Sequence, residues 1–103
     1  MTPNFSGCGT ALVTPFTASG AVDEARMHVL TLRQIDNGVN FLVPCGTTGE
    51  NPTLSGTEQR KIVESVVETA AGRIPVLAGA GGYNTQTVTQ LAADMQRAGA
   101  DGI

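Results

Sequence analysis

Apolar residues recur at helical spacing in three stretches of the chain. Residues 23–37 place Met27, Leu30 and Ile35 near one face, with Asp23 as N-cap and Gly38 as C-terminal stop. Residues 55–71 carry the stripe Ile62, Val63, Val66, Val67 and Ala70; Ser55 and Glu58 have capping-box spacing, and Gly72 ends the segment. A third helix is predicted to follow Asn84 as cap, to carry Val88, Leu91, Ala92, Met95 and Ala98 at helical spacing, and to stop at Gly99. Between these lie short apolar runs of strand length, 9–14, 40–45 and 75–80, with 101–103 beginning a fourth. A repeated strand, loop and helix order predicts an α/β fold of parallel strands joined by right-handed crossovers, the seed of doubly wound sheets and of eightfold βα barrels. The loops after the strands, 15–22, 46–54 and 81–83, are long and polar while those after the helices are short. That asymmetry favours the barrel and puts function at the strands' C-terminal ends.

Composition narrows the partners. A chain of 103 residues, 41% hydrophobic and 15% charged, has material for one modest core. Nine acidic against six basic residues leave a net charge of -3, which offers no footprint for nucleic acid or anionic lipid. The beginning of the chain has neither a basic stretch nor a long apolar run, so no export or membrane segment is expected, and cytoplasm is the expected location. The two cysteines, Cys8 and Cys45, and the single His28 do not make a zinc site at their spacings. Cys8 begins the first strand and Cys45 ends the second. With strands rising about 3.3 Å per residue, they are expected to stand beyond the roughly 7 Å reach of a disulfide, as two free thiols.

The candidate chemistry sits after the second strand, in Gly46-Thr47-Thr48-Gly49-Glu50. Glycines, two hydroxyls and successive backbone donors suit an anion such as a carboxylate; the same residues also suit a plain βα turn capped by threonines. The basic residues sharpen the choice of donor. Arg26, Arg33, Arg60, Lys61 and Arg97 fall within the predicted helices and Arg73 precedes the third strand, so an anion held here depends on backbone amides and hydroxyls. Residues 78–84 imitate a dinucleotide loop, but Asn84 stands where G-x-G-x-x-G needs glycine, and the 46–50 loop lacks a Walker ending. His28 reads as a surface or boundary residue, Tyr83 as a packing residue with a rim contact as the alternative, and Glu64 and Glu68 as solvated.

With Thr14-Pro15-Phe16 after the first strand, residues 41–50, and residues 72–85 in order, nearly the whole chain resembles the dihydrodipicolinate synthase and N-acetylneuraminate lyase family. The resemblance implies the N-terminal part, three βα units and the start of strand four, of a (β/α)8 TIM barrel forming one catalytic domain of roughly 250 to 300 residues. It implies class I chemistry on pyruvate through a lysine Schiff base, without a cofactor, in a homo-oligomer, dimer or tetramer. The family's Schiff-base lysine and its tyrosines fall beyond Ile103, and neither Lys61 nor Tyr83 matches them. What carries over is Thr47 as hydroxyl relay, Thr47 and Thr48 as binders of the pyruvate carboxylate, and Gly46, Gly49 and Glu50 as residues that shape the loop.

Two adjacent threonines resemble the synthases, whose aldehyde is L-aspartate semialdehyde in lysine and diaminopimelate biosynthesis. N-acetylneuraminate lyases more often show Ser-Thr, and sugar-acid aldolases and dehydratases share much of the segment. Lysine-inhibited synthases resemble a pattern of Asn, then Glu four residues on, with a polar side chain early in helix two. Asn84 matches, while Val88 and Gly56 depart from it, which implies poor inhibition by lysine. Alone, three strands and part of a fourth do not close; Leu12, Leu42 and Leu77 are expected on an uncovered inner face, and the 103-residue chain is expected to be unstable and inactive. A self-associating half-barrel without catalysis and a nucleotide-binding α/β domain stand as alternatives.

Overall fold

The computed structural model describes residues 2–103. Strands β1 (Gly9–Ala11) and β2 (Phe41–Val43) pair in parallel in the register Gly9↔Phe41, Thr10↔Leu42 and Ala11↔Val43. Beyond β2 the predicted third strand and the predicted start of a fourth are reduced to isolated parallel bridges, Leu42↔Val76 and Leu77↔Gly102. The hydrogen bonds give the reason. Leu42 N–H donates to the Pro75 carbonyl at 3.0 Å, Leu77 N–H to Leu42 at 2.8 Å, and Gly79 N–H to Pro44 at 2.8 Å. A continuous parallel ladder also needs the amide of residue 44 as a donor, and proline has none. On the other side Leu12 N–H still reaches the Val43 carbonyl at 3.0 Å, after which Cys45 turns left-handed (φ 59°) and the strand pairing ends. The strands predicted over six residues each are therefore three residues long or less.

The helices form where the apolar spacing places them. Helix α1 (Glu24–Asp36) is capped by Asp23, whose carboxylate accepts the Arg26 amide at 3.0 Å. Helix α2 (Gly56–Ala70) begins with a full capping box: the Ser55 hydroxyl accepts the Glu58 amide at 3.1 Å and the Glu58 carboxylate accepts the Ser55 amide at 2.8 Å. Such a cap is worth about 1 kcal/mol. Helix α3 (Thr85–Arg97) is capped by Asn84 through the Thr87 amide at 3.0 Å. Past the helix ends Gly38, Gly72 and Gly99 all take positive φ, where a side chain would be strained. Between β1 and α1 the chain makes a small hairpin with an antiparallel bridge, Phe16↔Val22, that apolar spacing does not reveal.

The core lies between the strands and the helices. Leu42, Val76, Met27, Val63, Val66 and Met95 are almost completely enclosed, with Leu12 and Ile62 beside them. This corrects the expectation that Leu12 and Leu42 lie on an uncovered inner face, since they are 3% and 0% exposed. A strand alternates sides at every residue, and Leu12 and Leu42 take the side that meets the helices. Their neighbours Ala11 and Val13 are exposed instead, Leu77 is half-buried, and Ile103 is open. At the strands' N-terminal end Phe5 and Phe41 meet edge to face, with ring centres 5.6 Å apart.

Candidate functional site

Residues 46–50 stand at the C-terminal end of β2 as two overlapping turns. The Gly49 amide donates to the Gly46 carbonyl at 3.0 Å and the Glu50 amide to the Thr47 carbonyl at 2.9 Å. Three successive amides, of Gly46, Thr47 and Thr48, have no protein acceptor among the described residues, nor do the hydroxyls of Thr47 and Thr48 find a partner there. Both threonines are exposed. A loop rich in unpaired donors beside a low-dielectric core can bind an anion by neutral hydrogen bonds. Thr47 also lines a cleft of about 600 Å³ with Asn51, Gln59, Gly82, Tyr83 and Asn84, and no basic side chain lines it.

The loop is held from three sides. Gly49 is buried, and a Cβ there would lie 3.0 Å from the Leu12 carbonyl and 3.3 Å from the Thr14 hydroxyl. Gly79, on the chain beyond β2, passes so close that a Cβ would overlap the Cys45 carbonyl and stand 2.8 Å from the Gly46 amide nitrogen. Gly46 itself has room for a Cβ, the nearest atom being 4.0 Å away, so the crowding that shapes the loop belongs to Gly49 and Gly79. Glu50 takes a left-handed conformation (φ 60°) and leads into a 3-10 turn (Asn51–Thr53). Its carbonyl accepts both the amide and the hydroxyl of Thr53, each at 2.9 Å, so its backbone orders the turn.

Three contributions escaped the sequence pattern. Thr14 is buried and donates its hydroxyl to the Gly49 carbonyl at 2.7 Å. Gln59, buried on α2, donates its amide to the carbonyls of Asn51 and Leu54 at 3.2 and 3.3 Å, tying the 3-10 turn to the helix. Polar residues on an otherwise apolar strand or helix face were the one available signal for both. Cys45 lies just past β2; its thiol donates to the Gln59 carbonyl at 3.6 Å, and burial pushes its pKa from 9.0 up to about 12. Both cysteines are free, Cys8 at the surface and Cys45 inside.

The remaining chemistry-bearing residues stay outside the loop. Lys61 borders a hollow of about 170 Å³ between α1 and α2, beside Glu24 and Glu58. Arg26, Arg60 and Arg97 pair with Asp23, Glu64 and Asp94, while Arg73 donates to the carbonyls of Thr69 and Ala70 at the end of α2. His28 is exposed and its Nδ1 bonds the Thr69 hydroxyl at 2.9 Å, joining α1 to α2. Tyr83 does not pack; its side chain is fully exposed at the edge of the cleft. No group of three or more metal-ligating side chains occurs among the described residues, and no helix there is long and apolar enough to cross a membrane.

A strand-end loop of free donors on parallel βα units, with no basic side chain in its cleft, places the chain in the α/β class. The chain belongs to the dihydrodipicolinate synthetase family, whose model matches residues 4–103. It is 52% identical over 99 residues to 4-hydroxy-tetrahydrodipicolinate synthase of Nitrobacter hamburgensis, covering 96% of this chain and 33% of that protein. The crystal structure of dihydrodipicolinate synthase from Aquifex aeolicus superposes with a TM-score of 0.91 at 45% identity, over 95% of this chain and 33% of that one. The chloride-inhibited synthase from Acinetobacter baumannii, solved with pyruvate, gives 0.91 at 34% identity, over 94% and 33%. The chain thus spans about a third of the length of the relatives it matches.

Proposed function

We propose that the protein carrying this chain is a lyase that condenses pyruvate with L-aspartate semialdehyde, and that residues 1–103 are the opening part of its single (β/α)8 catalytic domain. The observation that carries the reading is the set of unpaired amides and hydroxyls in residues 46–48 at the strand ends, within a chain half identical to such synthases. The pyruvate complex of a structural neighbour supports the choice of keto acid.

In this reading the amides and hydroxyls of Thr47 and Thr48 grip the pyruvate carboxylate. Gripping it holds the keto carbon within reach of an amine. A lysine amine adds to that carbon, water leaves, and the resulting imine draws electrons so that the derived enamine attacks the aldehyde. Lys61 borders the hollow between the helices and not the cleft beside Thr47, so in this reading the amine comes from a lysine elsewhere in the whole protein. The Thr47 hydroxyl, exposed and without a protein partner, is free to pass a proton between the reacting centre and solvent.

Borohydride reduction in the presence of pyruvate tests the reading on the full-length protein: it should trap a pyruvyl adduct on one lysine. The 103-residue chain alone should trap none. Each neutral donor on a charged acceptor is worth about 1.5 kcal/mol or more, so Thr47→Val with Thr48→Val should cut kcat/KM for pyruvate by roughly a hundredfold. Unchanged turnover and unchanged pyruvate saturation in that double variant would refute the assignment.

A further inference from the structure

We propose that Thr14 is a positioning residue for the carboxylate donors of residues 46–48; the inference rests on the reading of that loop as the pyruvate site. Thr14 touches no part of the cleft, and it is 6% exposed. Its hydroxyl donates to the Gly49 carbonyl at 2.7 Å, across 35 residues of sequence. That carbonyl has no other donor among the described residues. In a continuing turn its partner would be the amide three residues on, but residue 52 is proline and has no N–H. The Thr14 hydroxyl supplies the missing bond.

The grip reaches the donors directly. The carbonyl that Thr14 holds shares its peptide unit with the Glu50 amide, which closes the second turn on the Thr47 carbonyl at 2.9 Å, next to the first turn closed by the Gly49 amide on the Gly46 carbonyl at 3.0 Å. Holding the Gly49–Glu50 peptide from the Thr14 side therefore orients the Thr47–Thr48 peptide to which it is bonded, and with it the free Thr48 amide. The contact is also sterically tight, since Gly49 lies against both the Leu12 carbonyl and the Thr14 hydroxyl. Losing the hydroxyl leaves a buried carbonyl unpaired, and the loop can recover that bond only by turning Gly49 outward toward water.

The test compares Thr14→Ser, Thr14→Ala and Thr14→Val in the full-length enzyme, with pyruvate KM, kcat and Tm measured for each. Serine and alanine differ by the one oxygen at issue, and alanine keeps the test open if the valine variant fails to fold. The serine variant should stay within about twofold of the parent in pyruvate KM. The alanine and valine variants should raise it about tenfold, with a smaller change in kcat. If alanine lowers Tm but leaves pyruvate KM equal to that of serine, Thr14 only supports the fold and the inference is overturned. If the double Thr47 and Thr48 variant also leaves KM unmoved, the pyruvate site itself is misplaced, an outcome separate from failure at Thr14 alone.

Discussion

Replacing Gly79 with alanine probes how the third run of the sheet fixes the loop that follows the second. The new methyl would stand 2.5 Å from the Cys45 carbonyl carbon and 2.8 Å from the Gly46 amide nitrogen, both backbone atoms. Carbon atoms settle about 3.5 Å apart, so Cys45 and Gly46 must retreat by roughly 1 Å. Overpacking of this kind costs about 1–3 kcal/mol, and here the bond from the Gly79 amide to the Pro44 carbonyl at 2.8 Å is stretched as well. In a full-length protein that cost lowers Tm by roughly 2–10 °C. If residues 46–48 hold pyruvate as proposed, the same displacement carries their free amides off its carboxylate, and a misplacement of 1 Å costs on the order of a hundredfold in rate. The assay is differential scanning calorimetry together with steady-state kinetics in pyruvate. Gly56→Ala is the control, because a methyl there at the start of α2 meets no atom within 4 Å; it should leave kcat/KM unchanged and Tm equal to the parent's or slightly higher. A Gly79→Ala variant matching that control in Tm and in kcat/KM would show that the close approach of the two segments does not set the loop.

Three further outcomes are expected. Cys8 should react with a thiol reagent under native conditions while Cys45 reacts only on unfolding, as counted by mass spectrometry. Because burial raises the folded pKa of Cys45 from 9.0 to about 12, its neutral thiol contributes stability that is complete below pH 9 and is lost as the pH rises toward 12. Three pH units bound that loss at about 4 kcal/mol, and Cys45→Ala should flatten the alkaline arm of a Tm-against-pH curve. Lysine should inhibit the full-length enzyme poorly: Asn84 and Val88 border one cleft and Gly56 the adjoining one, with neither a carboxylate nor a polar helix side chain at the last two positions. Half-inhibition at submillimolar lysine would contradict this.

Some of the architecture was legible because it depends on local chemistry. Caps at Asp23, Ser55 and Asn84, stops at Gly38, Gly72 and Gly99, and the apolar stripes of three helices all act within one or two turns of chain, so short windows contain their causes. The residues 46–50 stood out for the same reason, since free amides and hydroxyls in a glycine-containing turn are a property of five consecutive residues. Strand length was less legible. Pro44 interrupts a ladder only because Leu42 and residues 75–79 are its partners, and that pairing is not written near it.

Short-range chemistry along the chain set the three helices, their approximate ends and the location of the donor loop, because periodicity and capping act within a few residues. Tertiary structure alone decided which face of each strand meets the helices, burying Leu12 and Leu42 and exposing Val13. It also decided what holds the loop: the Thr14 hydroxyl on the Gly49 carbonyl, Gly79 against Cys45, and Gln59 on the 3-10 turn. Those contacts join residues 35, 34 and 8 positions apart in the chain. Close packing selects them by shape and by the cost of leaving buried polar groups unpaired, and neither constraint exists until the segments meet.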